Sequence, residues 1–376
     1  MRKLIFCFSF VCMGLLSSCV DKNELVDEES VPGWLGSSIY GELKNPDASK
    51  GLTGSFNTYL RLVDDLGYAE TLSRTGSKTV FPANDEAFAR FFANETWPGV
   101  KRYEDLSDAQ KKMLLYSSML DNALLIGMLS NTSSSDGVVQ GRALKHLTSA
   151  SVIDTVTYYP AMSAMSAYGE NNTNWSRFNA GVSVVTDATR PMLVHFTREY
   201  MLNNGITTAG EDNDFSIITG GNYEEGDAYI FGNRIPKSAQ DITCQNGYIH
   251  QVDNVVVPPG NMAQVLKKTS DLSIFSHILD RFAVPVYNSK VTNDYHDWYR
   301  AQSEVTDMTG VNNPDSIFEV RYLSRVSQDN LPFDIDANKV QVIAENLLNL
   351  DPGWNEFYIA PTQSGQPETY LTDLQV

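Results

Sequence analysis

The segment NGYIHQVDNVVVPP, residues 246–259, places a histidine and an aspartate three residues apart in a Val-rich run that ends on two prolines. His250 and Asp253 are the residue types of a general base and an orienting carboxylate. Side chains alternate along a strand, however, so Tyr248, His250, Val252 and Asn254 share one face while Ile249, Gln251, Asp253 and Val255 share the other. His250 and Asp253 then point apart, which suits two structural hydrogen bonds better than a catalytic dyad. Other chemistry is sparse. His146, His195, His250, His277 and His296 form no i, i+4 pair and no HExxH, and the chain has no GxSxG elbow, phosphate-binding glycine loop or dinucleotide fingerprint. Glu211, Asp212 and Asp214 offer calcium-type donors without the turn glycine and closing glutamate of a dedicated loop, so a solvated acidic turn is expected. No metal or organic cofactor is expected.

The elements that must position these residues follow from periodicity. Phe56, Tyr59, Leu60 and Val63 recur at helical spacing, with Gly67 as a stop. KTVFPANDEAFARFF predicts a short strand at Thr79 to Phe81, a break at Pro82, a cap at Asn84 or Asp85, and a helix burying Phe88, Phe91 and Phe92. Ser107 and Gln110 have the spacing of a capping box ahead of a helix running through Met113, Leu114 and Met119. From Gly137 the texture changes to short strands and turns, and about 159–223 reads as a long insertion of loops and weak elements.

KTVFPANDEAF and NGYIHQVDNVVVPP resemble, in order, the two signatures of the fasciclin domain. The resemblance covers roughly residues 37–260 and implies an α+β fold: a wedge of two β-sheets with flanking helices, in which the second signature is a sheet strand. The chain departs from the usual pattern at Pro82-Ala83, where Ala-Pro is common, and this alters the turn rather than the strand break. It also carries Tyr116-Ser117 where many members have the Tyr-His pair associated with integrin-type adhesion, so Tyr116 is expected to be a core aromatic. SDLSIFSHILDRF repeats the pattern of the first helix through Phe275, Ile278, Leu279 and Phe282, with Ser270 or Asp271 as cap. DSIFEVRYL alternates as a half-buried strand, and NKVQVIAENLLNL reads as a helix. Residues 270–376 are therefore expected to form an incomplete second fasciclin-like unit that continues past Val376 or needs a partner to close its sheet.

MRKLIFCFSFVCMGLLSSC has Arg2 and Lys3, an apolar run from Leu4 to Leu16 and small residues before Cys19, the pattern of a secretory signal too short to span a bilayer. Leu16-Ser17-Ser18-Cys19 resembles the lipobox of bacterial lipoproteins, which implies removal of residues 1–18 and lipidation of Cys19. Residues 19–36, with VDKNELVDEES, read as an acidic tether that loosely resembles the signal exporting some lipoproteins to the outer face of the outer membrane; a periplasm-facing location stays open. Loss of the signal leaves Cys244 as the one unmodified cysteine, a small buried hydrophobe that excludes a disulfide framework. The whole chain carries a formal charge of −18, and losing Arg2 and Lys3 makes it two units more negative. Nucleic acid and non-specific membrane adsorption are thus disfavoured, leaving the acyl chains to hold the protein at the outer membrane.

These readings predict a lipid-anchored surface binding or adhesion module, not an enzyme, contacting a protein or glycan, with an outer-membrane nutrient transporter among the candidate partners. The aromatics around the insertion, Tyr158, Tyr159, Tyr168, Trp175 and Tyr223, are its candidate binding residues. The same rings would serve equally well to pack the insertion onto the sandwich. The alternative is a surface hydrolase with its site in the insertion, which would require paired carboxylates with separated pKa values.

Overall fold

A computed structural model of the chain describes residues 36–323 apart from 75, 136, 161–174, 176–177, 179–180, 186–189 and 305–306; beyond Leu323 it describes three short strands. The fold is α+β. The first elements are helices α1 (Ile39–Lys44), α2 (Asn57–Asp65) and α3 (Ala69–Arg74), strand β1 (Lys78–Val80), helices α4 (Asp85–Ala93) and α5 (Asp108–Tyr116), and strand β2 (Met119–Leu120). Short polar side chains, Ser38, Asn84 and Ser107, start α1, α4 and α5 by satisfying otherwise unpaired amides. Asn84 Oδ1 accepts from the Ala87 amide at 3.0 Å, and Ser107 with Gln110 closes the expected capping box. Helix α5 stops at Tyr116, short of the expected Met119, because Met119 is taken into the sheet opposite Val80.

The chain continues through β3 (Thr132–Ser134), β4 (Gly137–Val139), β5 (Lys145–Leu147), β6 (Thr157–Tyr159), β7 (Val182–Val185) and β8 (Met192–Phe196). Helices α6 (Arg198–Asn203) and α7 (Asp214–Thr219) precede β9 (Ala228–Ile230), β10 (Asn233–Ile235), β11 (Ile242–Cys244) and β12 (Gly247–Ile249). One four-stranded sheet has the order β11-β12-β1-β2 and a second the order β10-β9-β8-β5. Val80, Ile242 and Ile249 from the first and Leu193, Ile230 and Ile235 from the second meet in a single apolar core with Phe56, Tyr59, Phe81 and Phe88. The buried stripe of α2 is Tyr59, Leu62 and Val63, with Leu60 at its margin.

Within 159–223, expected to hold loops and weak elements, the described residues include the short elements β7, β8, α6 and α7. After α8 (Met262–Lys268) and α9 (Ser273–Phe282), strand β13 (Ala283–Tyr287), helix α10 (Ser289–Ser303) and strand β14 (Ile317–Leu323) follow. Strands β6 and β7 join β13 and β14 in a third sheet of order β13-β14-β7-β6. The β14–β7 pairing is parallel, with Ile317 opposite Ser183 and Glu319 opposite Val185. Residues from 270 onward therefore share a sheet with the segment expected to be an insertion. Strand β14 is covered on both faces, not one: Phe318, Val320 and Tyr322 are buried, and so is Glu319, which accepts from Asn288 Nδ2 and Arg321 Nε.

Two further expectations fail here. Helix α9 has Leu272 at its cap position without a side-chain bond, and it turns Phe275 and Ile278 to the surface while Leu279 is buried. Leu347–Leu348, in the stretch expected to be helical, pairs as a short strand with β14. The rest of that stretch, and the Thr372–Val376 alternation, lie outside the described residues.

Candidate binding cleft

The two segments 78–83 and 247–252 are adjacent. Strands β1 and β12 run parallel, with Lys78 opposite Gly247 and Val80 opposite Ile249, and the same register continues to a bridge between Ala83 and Val252. Pro82 lacks an amide but not a carbonyl, and its carbonyl accepts from the Val252 amide at 3.1 Å, so the proline sits at the end of the ladder without severing it. Gly247, at φ +144, is required in this pairing: a Cβ there would lie 1.8 Å from the Lys78 carbonyl oxygen.

His250 is fully buried and belongs to the scaffold. Its Nδ1 accepts from the Asp241 amide at 2.9 Å, which fixes the neutral tautomer with the proton on Nε2, and Nε2 donates to the Leu124 carbonyl at 2.9 Å. Burial lowers its pKa, holding the ring uncharged. Asp253 looks elsewhere, toward the surface, where its Oδ1 accepts from the Arg234 amide at 3.0 Å. Burial raises the Asp253 carboxyl, with the Arg234 amide and guanidinium opposing. His250 and Asp253 thus serve two separate networks.

Past Ala83 the chain enters α4, whose exposed side carries Glu86 and Arg90. Between that side and residues 251–253 lies a cleft of roughly 220 Å³, also lined by Thr53, Asn84, Pro236 and Ser238. Its floor is tied together. Buried Gln251 accepts from the Thr53 amide at 2.8 Å and donates to the Thr53 carbonyl at 2.9 Å, and Asn84 Nδ2 donates to the same carbonyl at 3.1 Å. Arg90 reaches across the rim and donates from Nη2 to the Asp253 carbonyl at 2.6 Å. On the other side of Arg90 is a second cleft, of roughly 230 Å³, lined by Phe91, Asn94, Thr96, Phe231, Asn233, Asn254 and Val255.

The two clefts differ in chemistry. The first combines two carboxylates, Glu86 and Asp253, with the Arg90 guanidinium and several fixed amides; the second shares Arg90 but has no carboxylate, and sets amides and a hydroxyl beside aromatic and aliphatic surface. An arrangement of one guanidinium between amide-rich hollows suits recognition of a chain rich in carbonyl or hydroxyl oxygens, because Arg presents several donors in one plane. Phe231 adds a rigid apolar element. It occupies, with Gly232, the two-residue turn between β9 and β10, at φ +46 and +79 respectively, the left-handed geometry such hairpins demand. A bulky residue seldom adopts that geometry, and such outliers concentrate at functional surfaces.

Among the expected binding aromatics, Tyr158 alone of the described ones is exposed, and its ring lies over Gly181. Trp175 is corrected to a core residue: it is 1% exposed, its Nε1 donates to the Ala283 carbonyl at 3.0 Å, and it packs beside Phe178. Tyr159 packs against the same cluster, and Tyr223 packs on Phe215 and Tyr229 with its hydroxyl accepting from the Gly226 amide at 3.3 Å. Tyr168 and Cys19 lie outside the described residues. Among the described residues, the structure does not gather these aromatics into one surface.

Asp214 in EDND is occupied in capping, accepting from the Thr207 amide and hydroxyl at 2.9 and 2.7 Å. Among the described residues, no group of three or more His, Cys, Asp or Glu side chains is placed to hold a metal ion. Cys244 is buried, and burial pushes its thiol up to about 12. Tyr116 is half-buried against Tyr68, and burial raises its phenol to about 12.

Sequence reasoning missed Glu86, Arg90, Phe231, Asn233 and Asn254. One signal was available: Arg90 is the single basic residue in the helix DEAFARFFA. The turn Phe231-Gly232 carried the other, since a phenylalanine stands where Asn or Asp usually precedes the turn glycine. No known protein family matches the chain, and no curated protein matches it significantly.

Proposed function

We propose that the chain is a fasciclin-type binding module, held at the outer membrane by lipid on Cys19, that contacts a protein or glycan through the paired clefts flanking Arg90. The observation that carries this reading is the unbroken parallel register of residues 78–83 with 247–252, which sets Arg90 and Asp253 on one rim. Two segments far apart in the chain resemble one family in the right order, and they are also neighbours in space. Their junction opens on two clefts, the first with a floor tied by the Thr53, Asn84 and Gln251 hydrogen bonds, a preorganised scaffold on which recognition groups are best displayed. The partner candidates are an outer-membrane nutrient transporter, for which the chain would be an accessory subunit, or a surface glycan.

The test is recovery of partners from native outer membranes with the full chain and with Arg90→Ala and Phe231→Ala. Arg90 is exposed and its loss leaves one solvated carbonyl, so folding is retained while capture falls by about tenfold if Arg90 anchors the ligand. Equal capture by all three proteins would sink the cleft reading. Separately, Cys19→Ala is expected to move the protein from the membrane to the soluble fraction.

A further inference from the structure

The cleft on the Asn94 side of Arg90 gathers three asparagines, Asn94, Asn233 and Asn254, with the Thr96 hydroxyl and the half-buried Phe231 ring, and no carboxylate lines it although the chain carries 46 acidic residues. Glu95, between Asn94 and Thr96, is drawn to Lys101 at 3.1 Å instead. The side-chain amides of Asn94 and Asn233 make no hydrogen bond among the described residues, and Asn254, which bonds Asp253, is exposed. Glu95 and Phe231 both hold left-handed backbone, at φ 45 and 46, so each turn is fixed by what surrounds it, and the Phe231 ring packs on the core. The backbone here is already spent. The amides of Phe231, Asn94 and Thr96 donate to the carbonyls of Val194, Arg90 and Phe91 at 3.0, 2.9 and 3.3 Å, and the Arg234 carbonyl on β10 accepts from the Asp253 amide at 2.9 Å. A bound peptide strand draws its affinity from an open sheet edge, which these groups do not offer. What the cleft presents is side-chain amide beside an aromatic face.

We propose that this cleft is a subsite for a neutral pyranose unit of a glycan, an inference that rests on the cleft reading and names the class of its ligand. A carboxamide carries a donor and an acceptor side by side, and neighbouring sugar hydroxyls, each able to donate and accept, satisfy both at once. The C–H face of a pyranose is apolar and weakly positive, which matches the negative face of an aromatic ring. Because the turn and the core already hold Phe231, stacking on it orders little that was free. Arg90 supplies the charge in the lining; one of its N–H groups is committed to the Asp253 carbonyl, and the others suit hydroxyl oxygens. A sugar acid would find the same guanidinium, but it would approach a molecule of formal charge −18, whose field repels anions.

The test follows the asparagine side-chain amides of the isotopically labelled full chain, carrying Cys19→Ala, by NMR. The probes are glucose, galactose, mannose and N-acetylglucosamine, with glucuronate and glycerol at the same concentration and ionic strength. At least one neutral sugar is expected to shift the Asn94 and Asn233 amide signals saturably, with glucuronate weaker and glycerol without saturable effect. Asn233→Ala and Phe231→Ala should each lower the affinity by about tenfold, whereas Asn313→Ala, at an exposed position before β14, should not. Asn233 has no side-chain partner to lose, so its variant keeps the fold even if Phe231→Ala disturbs the core. Absence of a saturable shift with every neutral sugar, shifts equalled by glycerol, tighter binding of glucuronate, or affinity unchanged by Asn233→Ala would each overturn the inference. A second arm uses native outer membranes before and after periodate, which cleaves vicinal diols. Capture that depends on Phe231 and disappears after periodate supports the glycan; capture that depends on Phe231 and survives periodate assigns the cleft to a protein, which overturns the sugar inference and leaves the cleft reading standing.

Discussion

His250 and His195 show how one residue type serves two structural purposes in the same fold. His250 bridges the Asp241 amide and the Leu124 carbonyl, so His250→Ala leaves a buried donor and acceptor unpaired, with an expected loss of about 1–3 kcal/mol in unfolding free energy measured by urea titration. His195 has neither ring nitrogen paired among the described residues and stacks on His146 at 5.2 Å. Burial, helped by the adjacent His146 imidazole, pushes its pKa down to about 3. The unfolded chain binds that proton near pH 6.5 and the folded chain does not, so stability is full above pH 6.5 and falls as pH drops from there toward 3. At pH 5 the penalty from His195 is on the order of 2 kcal/mol, and the lowered pKa of His250 acts in the same direction. His195→Leu removes both unpaired atoms and should flatten the acid side of a melting-temperature profile between pH 8 and pH 5. A wild-type melting temperature equal at both ends would contradict the burial argument. The structural role of His250 was legible because alternation separates it from Asp253. The state of His195 was not, since nothing in MLVHF shows that a second histidine from β5 covers it.

Among the elements, α2 and α4 are joined by one carboxylate. Asp85, the first residue of α4, accepts from Ser55 Oγ at 2.6 Å, from the Thr58 amide at 2.7 Å and from the Asn57 amide at 3.1 Å, and so caps the start of α2 from outside that helix. Burial raises the Asp85 carboxyl, but these bonds outweigh it and hold the group below the usual carboxylate range. Its contribution is therefore present above the unfolded carboxyl pKa and is lost as pH falls through the depressed folded value. Asp85→Ala is expected to cost about 1–2 kcal/mol at pH 7 and less at pH 3, read from chemical denaturation at both. A constant difference at the two pH values would refute the capping role. The helices α2 and α4 and the Ser107 capping box were legible from spacing, because apolar periodicity and a cap are local signals. The end of α5 was not, since pairing of Met119 with Val80 overrides local helix preference. The cleft was illegible for a related reason: its walls come from residues near 53, 84–96, 231–239 and 251–257, and no single window contains them.

At the scale of the whole molecule, the third sheet decides how far residues 37–260 can stand alone. VSVV reads locally as a strand, but its parallel neighbour lies more than a hundred residues away, and such pairing leaves no mark in either segment. The consequence runs against a boundary near 260. A chain stopped after Gly260 would keep the core shared by the first two sheets, whose buried residues all precede that point. It would lose the β14 partner of β7, the Ala283 carbonyl that holds Trp175, and the Phe318, Val320 and Tyr322 rings and branches that cover Val182 and Val184. Re-exposing large apolar side chains costs roughly 1.5–3 kcal/mol each, far more than a short two-stranded β6–β7 pair supplies by itself. The truncated chain is therefore expected to unfold cooperatively in its first core while strands β6 and β7 become open to protease, bind a hydrophobic dye and expose an unpaired strand edge that promotes association. Limited proteolysis with fragment mapping, run beside the full chain, separates the outcomes. Protection of β6 and β7 equal to that in the full-length protein would mean that they fold without β14, and that the third sheet is a docking of two finished units, not one structure built from both.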